Sequence, residues 1–134
     1  GGRMMRYLEC IAMLEFLLKK LHSGQRTQVP VTVADDAQQV MVQLNRKLED
    51  NQDTELRVKL RDTMEAIAEV NNVQGILVLT DAMKQALVSG VTDLLNTLQL
   101  LAFDYFKYND FEPTEEIIPV MRNVVATALA RGVI

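Results

Sequence analysis

Cysteine is nearly absent from these 134 residues. Cys10 stands alone, so no intrachain disulfide can staple the fold. A domain of this length buries about two thirds of its unfolded surface and does not need one. A lone cysteine also suits a reducing compartment, and a cytoplasmic setting is the expectation. Tryptophan is missing, and His22 is the only histidine. Two Cys/His residues cannot build a structural zinc site, and the paired Glu-x-x-His motifs of a di-metal bundle do not occur. The phosphate-cradling Gly-x-x-x-x-Gly-Lys-Ser/Thr loop and the dinucleotide signature Gly-x-Gly-x-x-Gly are missing as well, so neither metal nor cofactor is expected. A Cys/His nucleophile pair fails on distance, because three helical turns between Cys10 and His22 span about 18 Å. Cys10 also sits among apolar neighbours, as a core thiol would. The expectation is a protein that is not an enzyme.

Clustered positive charge is also lacking. The net charge is −4, and it is unevenly spread: residues 1–61 hold ten Lys/Arg against eight Asp/Glu, and residues 62–134 hold four against ten. An acidic C-terminal half argues against nucleic acid as a partner, since phosphate contacts need grouped cations. Arg57, Lys59 and Arg61 form the sharpest basic group, but their spacing spreads them around a helix, as on a solvated surface. Glu65 and Glu69, with Asp62, read as a solvated acidic face. The most apolar stretch, residues 75–106, is interrupted by Asp81, Lys84, Asp93 and Asp104, which argues against a membrane span. No signal-peptide pattern opens the chain, and Gly1-Gly2 reads as a cloning remnant.

With only three prolines and six glycines, the chain has few breaks, and 49% of it is apolar. The clearest pattern is a run of ten residues stepping by three or four: Val73, Ile76, Thr80, Met83, Leu87, Val91, Leu94, Leu98, Leu101 and Tyr105. At about 100° per residue they fall within an arc of roughly 80°, the signature of an amphipathic helix. As one helix this would be about 48 Å long, against a diameter near 36 Å for a compact domain of this size. The expectation is two helices divided near Ser89-Gly90. A short strand over residues 75–79, ahead of an N-cap at Thr80, is the lesser alternative.

Elsewhere, a first helix is expected over residues 3–21, with Tyr7, Cys10, Ile11, Leu14, Leu17, Leu18 and Leu21 on one face and Ser23-Gly24 as its stop. Residues 24–33 read as an extended linker around Pro30. Val29–Val33 could be a short strand, though without an obvious partner. A second helix spans 34–49 on Val40, Met41, Leu44 and Leu48. A third follows Asp53 as N-cap and frays near Asn71-Asn72. The last covers residues 119–131, with Pro119 tolerated in its first turn. The fold expected is a single all-α domain over 1–134, an antiparallel bundle of five or six helices. A short α-solenoid of helix hairpins is the alternative.

Two features exceed what a simple core needs. Phe103, Tyr105, Phe106, Tyr108 and Phe111 put five of the seven aromatics within nine residues, ringed by Asp104, Asp110, Glu112, Glu115 and Glu116. Aromatics anchor interfaces, and an acidic rim steers basic partners. Val78, Leu100 and Phe103 also lie on the polar side of the long wheel, while Met5, Ala12 and Phe16 form a second face on the first helix. A helix apolar on two faces is central in its fold or shared with another chain. The function expected from these features is a non-catalytic interaction or assembly module, an adaptor or oligomer. Its binding residues would be Phe103, Tyr105, Phe106, Tyr108, Phe111, Leu100, Val78 and Phe16, and its partner a second copy or another protein. The alternative is a regulatory domain holding an apolar small molecule or lipid between helices, in a pocket lined by leucine and some of the seven methionines.

Overall fold

The computed structural model describes residues 2–22 and 28–134. They form five helices: α1 Gly2–Leu21, α2 Thr32–Lys47, α3 Thr54–Asn71, α4 Asp81–Tyr108 and α5 Ile118–Ala130. The expected stop at Ser23-Gly24 lies outside the described residues.

The helices begin and end for identifiable reasons. Asp53 caps α3 by accepting from the Leu56 N–H at 2.9 Å, and Thr80 caps α4 by accepting from Met83 at 3.1 Å. Lys19 and Lys20 occupy the last turn of α1, where cations favour the negative end of the helix dipole. Gly132 takes a left-handed φ of 73°, and the Val133 N–H reaches back to the Ala128 carbonyl at 2.9 Å, closing α5.

α1 packs against α2 and α4, and α3 packs against the same two helices, so the first four helices close into a ring. Polar contacts show that neighbours run antiparallel. Lys20 at the end of α1 meets Asp36 at the start of α2 at 3.1 Å, and Lys47 at the end of α2 meets Glu9 near the start of α1 at 2.6 Å. Asn71 of α3 bonds to Gln38 of α2 at 2.8 Å, and Thr63 of α3 donates to the Gly90 carbonyl of α4 at 3.2 Å. A solenoid would stack each helix only on its sequence neighbours. Contact between α1 and α4 makes this a bundle instead.

α5 then lies against α4 and α1. The buried arc of α4 records its arrival: Leu87, Val91 and Leu94 make a narrow stripe, while from Leu94 to Phe103 seven residues are buried, including Leu95, Thr97 and Gln99. Thr127 of α5 donates to Gln99 Oε1 at 2.9 Å on the widened side.

α4 is one unbroken helix of 28 residues, about 42 Å long, so the expected break at Ser89-Gly90 does not occur. Glycine inside a helix is unfavourable by only about 1 kcal/mol relative to alanine. Leu87, Val91 and Leu94, all fully buried, hold the helix through that point. Val73 and Ile76 do not continue it downward: Gly75 has a φ of 79°, which ends any helical path before Thr80. The two possible strands instead find each other. Pro30 and Val78 form an isolated antiparallel bridge, with Leu79 N–H donating to Val29 O at 2.8 Å and Val31 N–H to Leu77 O at 2.9 Å.

By length and composition α4 is also the one described helix apolar enough to cross a membrane. Half of that apolar window is buried inside the bundle, as in the central helix of a helical core.

Candidate functional site

The aromatic segment at the end of α4 contributes mainly to the core. Phe103 is only 6% exposed, which removes it from any binding surface. Its position on the polar side of the wheel is explained by α5, which covers that side of α4. Tyr105, Phe106 and Phe111 are half-buried and pack on the core cluster. Tyr105 stands edge-on to Tyr7, with ring centroids 6.2 Å apart, and Arg3 lies over its face at 5.7 Å. Tyr7 in turn accepts from Asn51 Nδ2 at 2.9 Å, tying the α2–α3 turn to α1. Tyr108 alone projects, 78% exposed, with the Lys107 ammonium 5.5 Å from its ring.

The second apolar faces are also largely used internally. Met5 and Ala12 pack against the core, and Leu100 is half-buried. Phe16 stays exposed beneath Lys20, which sits 5.0 Å above its ring. Val78 is partly exposed in the bridge, beside Leu77, the most exposed large apolar side chain described, at 85%. Val78 and Tyr108, two exposed members of the expected set, share no surface, because the full length of α4 separates them.

Cys10 is a core residue. Burial pushes its thiol up to about 12, opposed by the positive field of Lys47 and Arg6 and aided by Glu9. Such a thiol is not a nucleophile at neutral pH. Lys47 is shifted upward by its hydrogen bond and ion pair with Glu9. Among the described residues, no three His, Cys, Asp or Glu side chains converge where they could hold a metal.

The concave surface with the best-formed apolar lining lies elsewhere, along the outer seam of α2 and α3. It is a groove of about 460 Å³. Met41, Leu60 and Ile67 form its floor and are almost fully buried, while half-buried Met64 and exposed Val42 and Ala68 form its upper walls. Asn45 Nδ2 donates to the Met64 sulfur at 3.2 Å, pinning the thioether across the seam. Arg57 and Arg61 stand at the end near the α2–α3 turn. Arg57 donates to the Leu48 carbonyl at 2.9 Å and so closes the end of α2. Arg61 leans on its neighbour Asp62 at 3.3 Å in open solvent. Beyond Val42 a shallower, polar concavity continues over α2, lined by Asp35, Gln38, Gln39, Gln43 and Arg46.

None of the groove residues was among the expected binding residues. The signal of its charged members was present in two pieces, the cations at 57 and 61 and the carboxylate at 65, with Glu69 one turn beyond the groove. Each piece taken alone reads as solvated surface. Joined at intervals of four, Arg57, Arg61, Glu65 and Glu69 make one continuous row on α3.

Comparison with known proteins adds no family to this description: no family model matches the chain, and no curated protein or solved structure is significantly similar to it.

Proposed function

We propose that this protein is a non-catalytic helical interaction module that receives a partner helix in the seam between α2 and α3. The observation carrying this reading is the groove itself: an apolar floor of Met41, Leu60 and Ile67 under a methionine wall, with charged residues confined to its rim. Helix-in-groove recognition needs this combination, in which apolar anchors supply affinity and rim charges supply orientation. The aromatic segment at 103–111 leaves the proposal except for Tyr108, because its other rings are needed by the fold.

Selection of amphipathic helical peptides by display, with Met64→Glu as counter-target, tests it. Peptides should be retained by the wild-type protein and lost on the variant. Failure to select any helix, or equal retention by both proteins, overturns the reading.

A second reading has one observation in its favour. Met41, Met64 and Leu60 give the seam the lining expected of a site for an apolar small molecule. A lipid and metabolite panel would then raise the melting temperature of the wild-type protein and not of Met64→Glu.

A further inference from the structure

Along one diagonal row of α3, which borders the α2–α3 seam, the charges are ordered by sign, with Glu55 and Asp62 lying off the row. Arg57 and Arg61 occupy the first half of α3, while Glu65 and Glu69 occupy the second, each one turn from the next. Because α2 runs antiparallel to α3, its own exposed charges follow the same order: Arg46 lies at the cationic end and Asp35 at the anionic end. The row therefore has a positive end and a negative end, separated by about 18 Å between positions 57 and 69. Among the described residues, neither Glu65 nor Glu69 has an ion-pair partner, and Arg61 has only the exposed Asp62 beside it in sequence.

Such a pattern is its own complement. Turned through 180° about an axis perpendicular to α3 and level with Thr63, the row is matched sign against sign: 57 falls opposite 69 and 61 opposite 65. The same operation sets Val58 opposite Ala68, both exposed apolar positions. We propose that the partner helix is α3 of a second copy of this chain, docked antiparallel across a two-fold axis. Arg57 and Arg61 of each copy then face Glu69 and Glu65 of the other. This rests on the reading of the seam as a helix-docking surface and supplies its occupant.

The geometry suits the row. Side chains four apart form ridges inclined to the helix axis, and packing such ridges between two helices gives the common crossing near 50°. A two-fold contact buries the same patch on both copies, so each ion pair occurs twice and the assembly closes as a dimer. A face of this length and about two helices wide covers roughly 400 Å² per copy, below the size of a standard specific interface. The dimer is accordingly reversible and sensitive to salt, because its charge pairs remain solvent-accessible.

Sedimentation analysis across a concentration series at low ionic strength tests this with four samples: the wild-type chain, Arg61→Glu, Glu65→Arg, and an equimolar mixture of the two variants. Both side chains point into solvent, so circular dichroism should show both variants folded. Arg57 is left intact because it closes α2. The wild type should show a monomer–dimer equilibrium. Each variant alone puts like charges opposite each other twice and should dimerise at least about tenfold more weakly. In the mixture, position 61 of one variant meets position 65 of the other with opposite signs, so dimers should return as heterodimers at wild-type strength.

A wild-type chain that stays monomeric throughout overturns the second copy as occupant, and the peptide selection above then judges the docking surface separately. A dimer indifferent to both variants overturns it as well. Weakening without recovery in the mixture overturns the antiparallel register.

Discussion

On one side of the ring, α1 and α4 carry apolar residues over broad arcs, and α5 lies against both. On the other side, α2 and α3 each bury a single stripe at intervals of three or four: Val33, Ala37, Met41 and Leu44 on α2, and Leu56, Leu60, Thr63, Ile67 and Val70 on α3. No described element covers their outer seam. The difference shows how a fifth helix is accommodated. Where two helices of a four-helix ring are apolar on more than one face, the extra surface specifies where the next helix packs. Where they are not, the ring remains open to solvent and its edges are held by polar clasps such as Lys47–Glu9 and Asn71–Gln38.

The largest test of that contrast is a pair of truncations. Leu98→Ala removes a fully buried side chain on the broad arc of α4 and should cost about 2–5 kcal/mol in urea denaturation. Val42→Ala at the open seam should change stability by less than about 0.5 kcal/mol. Comparable losses at both sites would erase the distinction between the two sides.

Next in size is the response to alkali of the covered side. Unfolded Cys10 ionises near its ordinary value of 9.0, while the folded thiol is held to about 12. Between those values the folded state keeps a proton that the unfolded state loses, so stability falls as pH rises, by at most about 1.4 kcal/mol per unit. Below 9.0 both states are protonated, and this contribution to the slope vanishes. Subtracting the pH profile of Cys10→Ala isolates it from lysine and tyrosine titration. Parallel profiles for the two proteins would show that the thiol is not sealed.

The α4–α5 contact can be probed through the hydrogen bond between half-buried Thr127 and buried Gln99. Thr127→Val leaves the Gln99 amide without its partner and should cost about 1–2 kcal/mol, while Gln99→Leu with Thr127→Val should recover most of that loss. Smallest is Gly90→Ala. A methyl there would meet Thr63 Oγ1 at 3.5 Å and Cγ2 at 3.7 Å, ordinary contact distances. The gain in helix propensity should therefore stabilise the protein by roughly 0.5–1 kcal/mol, read as a higher melting temperature. A loss would mean that α3 and α4 approach more closely there than the contact distances allow.

The start of α3 was legible in the residues because capping chemistry is local: Asp53 satisfies a backbone N–H three residues on, and no distant contact is needed to see it, whereas the cap at Thr80 was only the lesser alternative to a helix begun at Val73. The continuity of α4 was not legible, since glycine weakens a helix only slightly and the burial of Leu87, Val91 and Leu94 that overrides it depends on packing against α1 and α3. The aromatic segment misled for a related reason. Phe103 looks misplaced on one helical wheel until a helix fifteen residues further along the chain returns to cover it. The seam was the hardest part to read, because a groove belongs to two helices at once and its charged row is ordered only when α3 is taken as a whole.

The small bridge between Pro30 and Val78 also bears on how the chain opens. It joins the connection between α1 and α2 to the connection between α3 and α4, so two helical hairpins share a backbone clasp 48 residues apart in sequence. Connecting segments ordinarily exchange their amide hydrogens quickly, yet the Val31 and Leu79 amides are donors in this clasp. Their exchange rates therefore report the joint separation of both hairpins rather than local loop motion, marking this end of the bundle as one cooperative unit.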